Sequence, residues 1–334
     1  MSRFVVTGCA GFIGSHLTEA LLNGGHDVVG IDSFTDFYPR ALKQQNLGSA
    51  QRNRRFSLID EDLVDATLEA AMWRADGVFH LAAQPGVRDS WGESFAIYAR
   101  DNLIATQRVF EAAAALGVRV VFSSSSSVYG DAQTYPTPED ASPRPVSPYG
   151  VTKLGCEQLA DAYTVAAGLD VVCLRYFSVY GPRQRPDMAF ARIVDRLLDG
   201  RSFPLLGSGA QVRDFTYVGD IVRANLAAMD RAPAGAVYNV GGGTPTSLAD
   251  AIALCELLTG HALVCDKRPP SAGDAARTLA DTSRIRSEIG WRPQSSLADG
   301  LAAQVSWRMR HLAVDPDRGR VLTFAGDHAP STVD

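Results

Sequence analysis

The chain has 334 residues, 46% of them hydrophobic, with 32 Lys and Arg against 37 Asp and Glu for a formal net charge of -5. That balance argues against a nucleic-acid or membrane-surface partner, and no apolar run approaches the roughly 20 residues of a membrane span. A chain of this size buries a large core, as one big α/β domain or as one domain with a smaller lobe.

The start, MSRFVVTGCAGFIGSHL, carries one basic residue and no good cleavage site, so it reads as a strand rather than a secretory leader. A strand over 4–7, a tight turn and a helix with the apolar face Phe12, Ile13, Leu17 and Leu21 follow in order. Gly8, Gly11 and Gly14 punctuate that turn with G-x-x-G-x-x-G spacing. Such glycines suit a dinucleotide: Gly8 for the turn, Gly11 for close approach of a pyrophosphate to the helix N-terminus, Gly14 for helix-on-strand packing. The next strand, HDVVGID, ends at Asp32, where a carboxylate bonds the adenosine ribose and repels a 2'-phosphate, which favours NAD over NADP. Arg40, Lys43, Arg52, Arg54 and Arg55 read as solvated surface.

Further strands are expected over 56–59, 77–81, 118–123 and 169–174, with helices over 102–116 and 149–167 between them. Strands alternating with helices mean a parallel, doubly wound sheet. Beyond about residue 179 the pattern turns irregular: GPRQRPDM, a helix over 189–198, the loop GSGAQVRDFTY, a strand over 237–240 and the proline-rich KRPPSAGD. Five cysteines, at 9, 156, 173, 255 and 265, have neither even number nor C-x-x-C spacing. They read as reduced cytoplasmic thiols, and no metal site is expected.

Tyr149 and Lys153 stand four residues apart in SPYGVTKLGCEQLA, on one face of a helix. A free phenol has a pKa of about 10, and a neighbouring ammonium together with a cationic nicotinamide favours the phenolate. A shift of roughly three units corresponds to about 4 kcal/mol, within reach of two close cations in a partly dry site. The pair can then accept a hydroxyl proton while a hydride leaves the same carbon.

Together these segments resemble the extended short-chain dehydrogenase/reductase family, in its nucleotide-sugar epimerase branch. The resemblance runs over about residues 3–310 and rests on VTGCAGFIGSH, the Asp62-Leu63 step, HLAAQPGVRDS, FSSSSSVYG, SPYGVTK, LRYFSVYGPRQRPDMA, VRDFTYVGDIV and AGDAARTLAD. It implies an α/β fold: a Rossmann-type doubly wound parallel sheet with a smaller mixed C-terminal lobe. An NAD-binding domain would span 1–178, with elements around 213–240 returning to it; a mainly nucleotide-sugar-binding lobe would span 179–312, and a loosely ordered tail 313–334. Ser125, Tyr149 and Lys153 would form the catalytic set. NAD would lie on Gly8, Gly11, Phe12, Ile13 and Gly14, with Asp32, Asp62 and Leu63 at the adenosine end. Leu81, Ala82, Ala83, Gln84, Asn102 and Tyr176 would line the nicotinamide end with Tyr149 and Lys153. Asn102 completes a proton relay in the family; from its position alone it would cap the following helix.

The resemblance also narrows the reaction. Family 4,6-dehydratases carry Asp and Glu after the catalytic hydroxyl residue, and UDP-glucuronate decarboxylases a Glu before VYG; here Ser126 and Ser127 stand there. Simple 4-epimerisation needs no extra carboxylate. VYGPRQRPDMA and AAQPGVRDS resemble signatures of UDP-glucuronic acid 4-epimerases, and Ser178 replaces an asparagine usual in glucose/galactose 4-epimerases. The expectation is therefore C4 epimerisation of UDP-glucuronate to UDP-galacturonate through a 4-keto intermediate. UDP-glucose/UDP-galactose 4-epimerisation stands next, then decarboxylation; a non-catalytic NAD-binding regulator is the reading from another class. A uronate carboxylate wants hydrogen-bond donors and a cation, and Ser126, Ser127 and Arg185 are suppliers, with Arg88 and Arg192 as second candidates. Arg213, helped by Arg277, would meet the diphosphate. The helices over 102–116 and 149–167 resemble those that pair across the family's four-helix interface, which implies a homodimer.

Overall fold

A computed structural model describes residues 1–269 and 275–314. The tail expected to be loose lies outside them from residue 315 onward, as do residues 270–274 of the proline-rich segment. Short strands of Val, Ile, Phe, Leu and Gly alternate with helices: β1 (Arg3–Thr7), α1 (Phe12–Asn23), β2 (Asp27–Ile31), α2 (Arg40–Asn46), β3 (Phe56–Ile59), α3 (Leu68–Met72) and β4 (Gly77–His80). Next come α4 (Phe95–Tyr98), α5 (Ala105–Leu116), β5 (Val120–Ser125), α6 (Pro148–Ala167) and β6 (Val171–Tyr176).

After β6 the chain leaves for a second layer of β7 (Val179–Tyr180), α7 (Ala189–Asp199), β8 (Phe203–Leu206), β9 (Val212–Asp214) and β10 (Thr216–Tyr217). Through α8 (Val218–Arg231) it returns to the main sheet as β11 (Val237–Val240). It ends with β12 (Pro245–Ser247), α9 (Leu248–Thr259), β13 (Cys265–Arg268), α10 (Ser283–Ile289) and α11 (Leu297–Val314). Seven strands form one parallel sheet in the order β11-β6-β5-β4-β1-β2-β3, and three two-stranded pairs, β7 with β10, β8 with β13 and β9 with β12, serve the C-terminal part.

Each face of the large sheet buries its own core. Leu17, Leu21, Ile221 and Ala224 bring α1 and α8 onto one face; Val109, Phe110, Cys156 and Ala160 bring α5 and α6 onto the other. Tyr180, Phe190, Ile193, Phe203 and Cys255 form a separate core for the C-terminal elements. Cys9, Cys156, Cys173 and Cys255 are buried free thiols and Cys265 an exposed one. Among the described residues no helix is long and apolar enough to cross a membrane.

Three element starts differ from expectation by two residues or more, each for a local reason. β5 and β6 begin two residues late because Gly117 and Gly168 take left-handed conformations at φ +65° and +66°. The following amides then bond back into the helix, Val118 N–H to Ala113 O and Leu169 N–H to Tyr163 O. The helix expected to start at Asn102 starts earlier, at α4, and runs into α5 through a π-helical stretch at Ala99–Ile104. Asn102 therefore lies inside a helix and caps nothing.

One buried polar cluster spans this layer. Arg175 on β6 grips Glu157 on α6 through Nε to Oε1 at 2.9 Å and Nη2 to Oε2 at 2.7 Å, with both side chains about 5% exposed. Glu157 also takes the Ser124 hydroxyl, and Arg175 Nη1 donates to Tyr129 Oη at 2.7 Å, whose proton goes to Asn239 Oδ1 on β11 at 2.7 Å. Truncating one partner of such a pair strands the other charge, at roughly 3 to 5 kcal/mol. Glu157→Ala should lower unfolding stability by about that much in chemical denaturation, whereas Arg268→Ala, which removes the exposed pair with Asp266, should cost less than about 1 kcal/mol.

Candidate active site

The chain order of the strands reverses between β1 and β4, and the loops leaving their carboxyl ends part to form a crevice. Gly8 follows β1 with φ +68°, and a Cβ there would stand 2.8 Å from Ala82 N on the opposite loop. A Cβ on Gly14 would stand 2.1 Å from Gly8 O, so helix α1 can press onto the strand end only through glycine. No side chain caps the N-terminus of α1. Its first amides, which no helix can satisfy internally, are left for an anion.

The resulting cleft has a cavity volume of about 220 Å³ and runs from the glycine loop to Tyr149 and Lys153. Its walls include Gly8, Gly11, Phe12, Ile13, Gly14, Asp32, Asp62, Leu63, Leu81, Ala82, Ala83, Gln84, Tyr149, Lys153, Tyr176 and Arg185, all singled out in the sequence. Asp32 is held by Ala10 N–H at 3.0 Å on Oδ2 and Phe34 N–H at 2.9 Å on Oδ1. One bond per oxygen leaves lone pairs for ribose hydroxyls. Burial raises its pKa, while the Phe34 N–H and the Lys43 charge oppose that. Thr35, Phe37, Tyr38 and Lys43 also line the cleft and were not anticipated. Lys43, read as surface, is buried and donates to Thr35 O at 2.7 Å and to Thr35 Oγ1 at 3.1 Å. The aromatic pair preceding Pro39 was the only local signal that this stretch packs inward.

At the other end α6 brings Tyr149 and Lys153 to the cleft. Lys153 is buried, its Nζ donating to Ser123 O at 2.9 Å and lying 4.9 Å from the Phe122 ring centroid. The Tyr149 ring meets Tyr98 edge-on at 6.3 Å. Asn102 is buried and acts as a splice. Its Oδ1 accepts from Gln84 N at 2.7 Å and its Nδ2 donates to Thr152 Oγ1 at 2.9 Å, tying the β4 loop to the turn that carries Tyr149. Thr7 holds the same loop, its Oγ1 accepting the Leu81 and Ala82 amides at 3.2 Å each. Its own proton therefore goes to His80 Nδ1 at 2.7 Å, which leaves Nε2–H for Thr106 Oγ1 at 2.9 Å. Burial, then the Lys153 charge, pushes the His80 pKa down to about 3, so the ring is neutral.

Ser125 ends β5 and uses its Oγ to cap the short turn Ser126–Val128, accepting Ser127 N–H at 3.1 Å and reaching Ser127 Oγ at 3.0 Å. Of the serine run, Ser123 and Ser124 line the cleft; Ser125, Ser126 and Ser127 stand just beyond, partly exposed. Ser178 precedes β7 and accepts Thr216 N–H on its carbonyl at 3.1 Å. Arg185 does reach the cleft, with Nε and Nη2 on the Asp187 carboxylate at 3.0 and 2.9 Å. Asp187 uses two of the five guanidinium N–H donors.

The other arginines stand apart from the cleft wall. Arg88 lies on the short turn Arg88–Ser90, and Arg192 lies over the Phe203 ring at 5.7 Å. Arg213 donates to Val212 O at 2.9 Å, and the bridge between Val212 and Arg277 sets the two arginines side by side. Arg277 covers the Tyr135 ring at 5.3 Å, and both charges act on that phenol.

The arrangement offers an anion-receiving glycine loop, a carboxylate for ribose, and a Tyr/Lys pair beyond. The chain is 40% identical, with a TM-score of 0.90, to the crystal structure of UDP-glucuronic acid 4-epimerase from Bacillus cereus in complex with UDP-glucuronic acid and NAD; the match covers 92% of this chain and 99% of that one. It is 41% identical to the uncharacterized UDP-glucose epimerase YtcB of Bacillus subtilis, over 91% of this chain and 97% of that protein. It is 37% identical to the UDP-glucose 4-epimerase of Mycolicibacterium smegmatis, over 91% and 98% respectively. A family profile matches residues 4–241, and the chain belongs to the NAD dependent epimerase/dehydratase family.

Proposed function

We propose that this chain, an NAD-dependent nucleotide-sugar 4-epimerase, interconverts UDP-glucuronate and UDP-galacturonate. The observation that carries the uronate is Arg185: a guanidinium 18% exposed, set in the cleft wall with Tyr149, with three N–H donors beyond those Asp187 takes. A neutral hexose offers those three remaining donors no anionic acceptor, whereas a uronate does. The reading is also supported by the likeness to the Bacillus cereus enzyme. The two relatives named for UDP-glucose make the hexose epimerase the second reading.

The cleft fits NAD on its own evidence: close-packed glycines, an uncapped α1 N-terminus and the Asp32 carboxylate. When bound, NAD supplies a hydride acceptor that later returns the hydride to carbon 4. The protein's part is proton movement and placement. Tyr149 Oη takes the proton of the sugar 4-hydroxyl, and the Lys153 ammonium stabilises the phenolate. Ser125 Oγ orients the 4-oxygen. The 4-keto sugar turns about its diphosphate, held by Arg213 and Arg277, and Tyr149 gives the proton back on the other face. Asn102 and the neutral His80 keep the loop and the helix at fixed spacing.

A 4-keto uronate is a β-keto acid. It loses carbon dioxide when its carboxylate stands perpendicular to the carbonyl plane, so an epimerase must prevent that orientation. Ser126, Ser127 and Arg185 would do so by holding the carboxylate. We also propose a homodimer through α4, α5 and α6, where Ile97, Ile104 and Val151 are about half exposed although apolar.

Incubating the purified protein with UDP-glucuronate or UDP-glucose without added NAD, and reading products by NMR, decides the substrate; turnover of the hexose alone refutes the uronate reading. Tyr149→Phe should lower kcat by about 10²- to 10⁴-fold with UDP-sugar binding near wild type. Arg185→Ala should weaken UDP-glucuronate binding about 30-fold or more, from a loss of at least roughly 2 kcal/mol, and should release measurable carbon dioxide. Normal epimerisation without carbon dioxide would remove the main support for a uronate. Light scattering at micromolar concentration should give twice the mass of the chain.

A further inference from the structure

The segment bearing Arg185 has little regular structure between β7 and α7, yet it is tied from two sides. From α1, His16 Nε2 lies 2.8 Å from Pro182 O. A carbonyl can only accept, so this nitrogen carries the proton. One turn further along α1, Glu19 meets Arg183 Nη2 with both oxygens, at 2.8 and 2.9 Å. From α11, Gln304 Oε1 accepts Gly181 N–H at 2.8 Å and its Nε2 donates to Gln184 Oε1 at 2.8 Å, which also accepts Ala191 N–H at 2.9 Å.

Arg183 itself holds φ +64°, a left-handed conformation that a side chain other than glycine keeps only when its surroundings impose it. The α11 ties fix Gly181 and Gln184; the α1 ties fix the two residues between them. Pro182 and Arg183 immediately precede Gln184 and Arg185, so the place at which α1 holds them bears on where the Arg185 side chain starts.

We propose that His16 and Glu19 are positioning residues for substrate choice: by clamping Pro182 and Arg183 onto the cofactor helix, they aim Arg185 at an anionic sugar. This rests on the reading of Arg185 as the partner of a substrate carboxylate. Neither His16 nor Glu19 lines the cleft, so their effect passes through the clamped segment. Burial, then the Arg183 charge, pushes the His16 pKa down to about 4, which keeps it a neutral donor.

The test measures binding of UDP-glucuronate and of UDP-glucose to the NAD-loaded protein by calorimetry. Glu19→Ala should weaken UDP-glucuronate about fivefold or more and UDP-glucose less than about twofold, with Glu19→Gln restoring part of the loss and His16→Asn showing the same split. In an Arg185→Ala background, Glu19→Ala should change neither affinity further. Equal losses for both sugars, no loss for either, or an unchanged loss in the Arg185→Ala background would each overturn the clamp. If Arg185→Ala alone leaves the preference for UDP-glucuronate intact, the uronate reading fails and the clamp's role in substrate choice fails with it.

Discussion

The carbonyl of Gly8 occupies the place where any side chain on Gly14 would be, 2.1 Å from its Cβ. This contact sets the height at which α1 meets the sheet, and much of the cofactor end follows from it. Because α1 sits so low, its uncapped first turn faces the crevice between β1 and β4. The same drop brings the glycine loop to Asp32, whose Oδ2 accepts the Ala10 amide at 3.0 Å. It also brings His16 and Glu19 within reach of Pro182 and Arg183. A bulkier residue at 14 would lift the helix and disturb phosphate, ribose and distal loop together.

Helix α6 supplies the second axis. Tyr149, Lys153 and Glu157 recur at four-residue spacing on one face, the first two on the cleft and the third in the buried pair with Arg175. The active side of the helix is thus anchored by a charge contact below the site rather than by apolar packing alone. Through the Ser124 hydroxyl the same pair holds the end of β5, next to Ser125. The groups proposed to handle protons, on two elements, are therefore tied to one buried ion pair, which favours a fixed geometry over maximum stability.

Much of this was legible because it depends on periodicity and on residue types with few alternatives. Alternating strands and helices gave the parallel sheet; Gly8 and Gly14 announced the close approach; the Tyr149/Lys153 spacing announced a shared face. What stayed hidden depends on contacts distant in sequence. Lys43 resembles any surface lysine until Thr35 is seen to receive it. Asn102 reads as a cap because nothing in the sequence shows a π-helical stretch, nor Gln84 and Thr152 as its partners. The late starts of β5 and β6 come from Gly117 and Gly168 closing helices and drawing the next amides back into them, whereas apolar Val118 and Leu169 read as strand starts.

On the proposed reading, redox chemistry and substrate choice stand on different parts of the chain. Tyr149, Lys153, Asn102 and His80 belong to elements packed on the large sheet, where displacement disturbs a core. Arg185 belongs to an irregular connector held largely by side-chain bonds to α1 and α11. A connector of that kind can change its charge or aim while the reaction apparatus stays intact. This gives a physical reason why relatives named for UDP-glucose and for UDP-glucuronic acid reach similar identities to this chain, 41% and 40%, over nearly the same span. Overall identity is dominated by the sheet and its helices, so it reports the shared chemistry. On the proposed reading the sugar is decided by Arg185 with Ser126 and Ser127, too few residues to weigh in that figure, and the α1 side chains beneath 182–183 aim the cation.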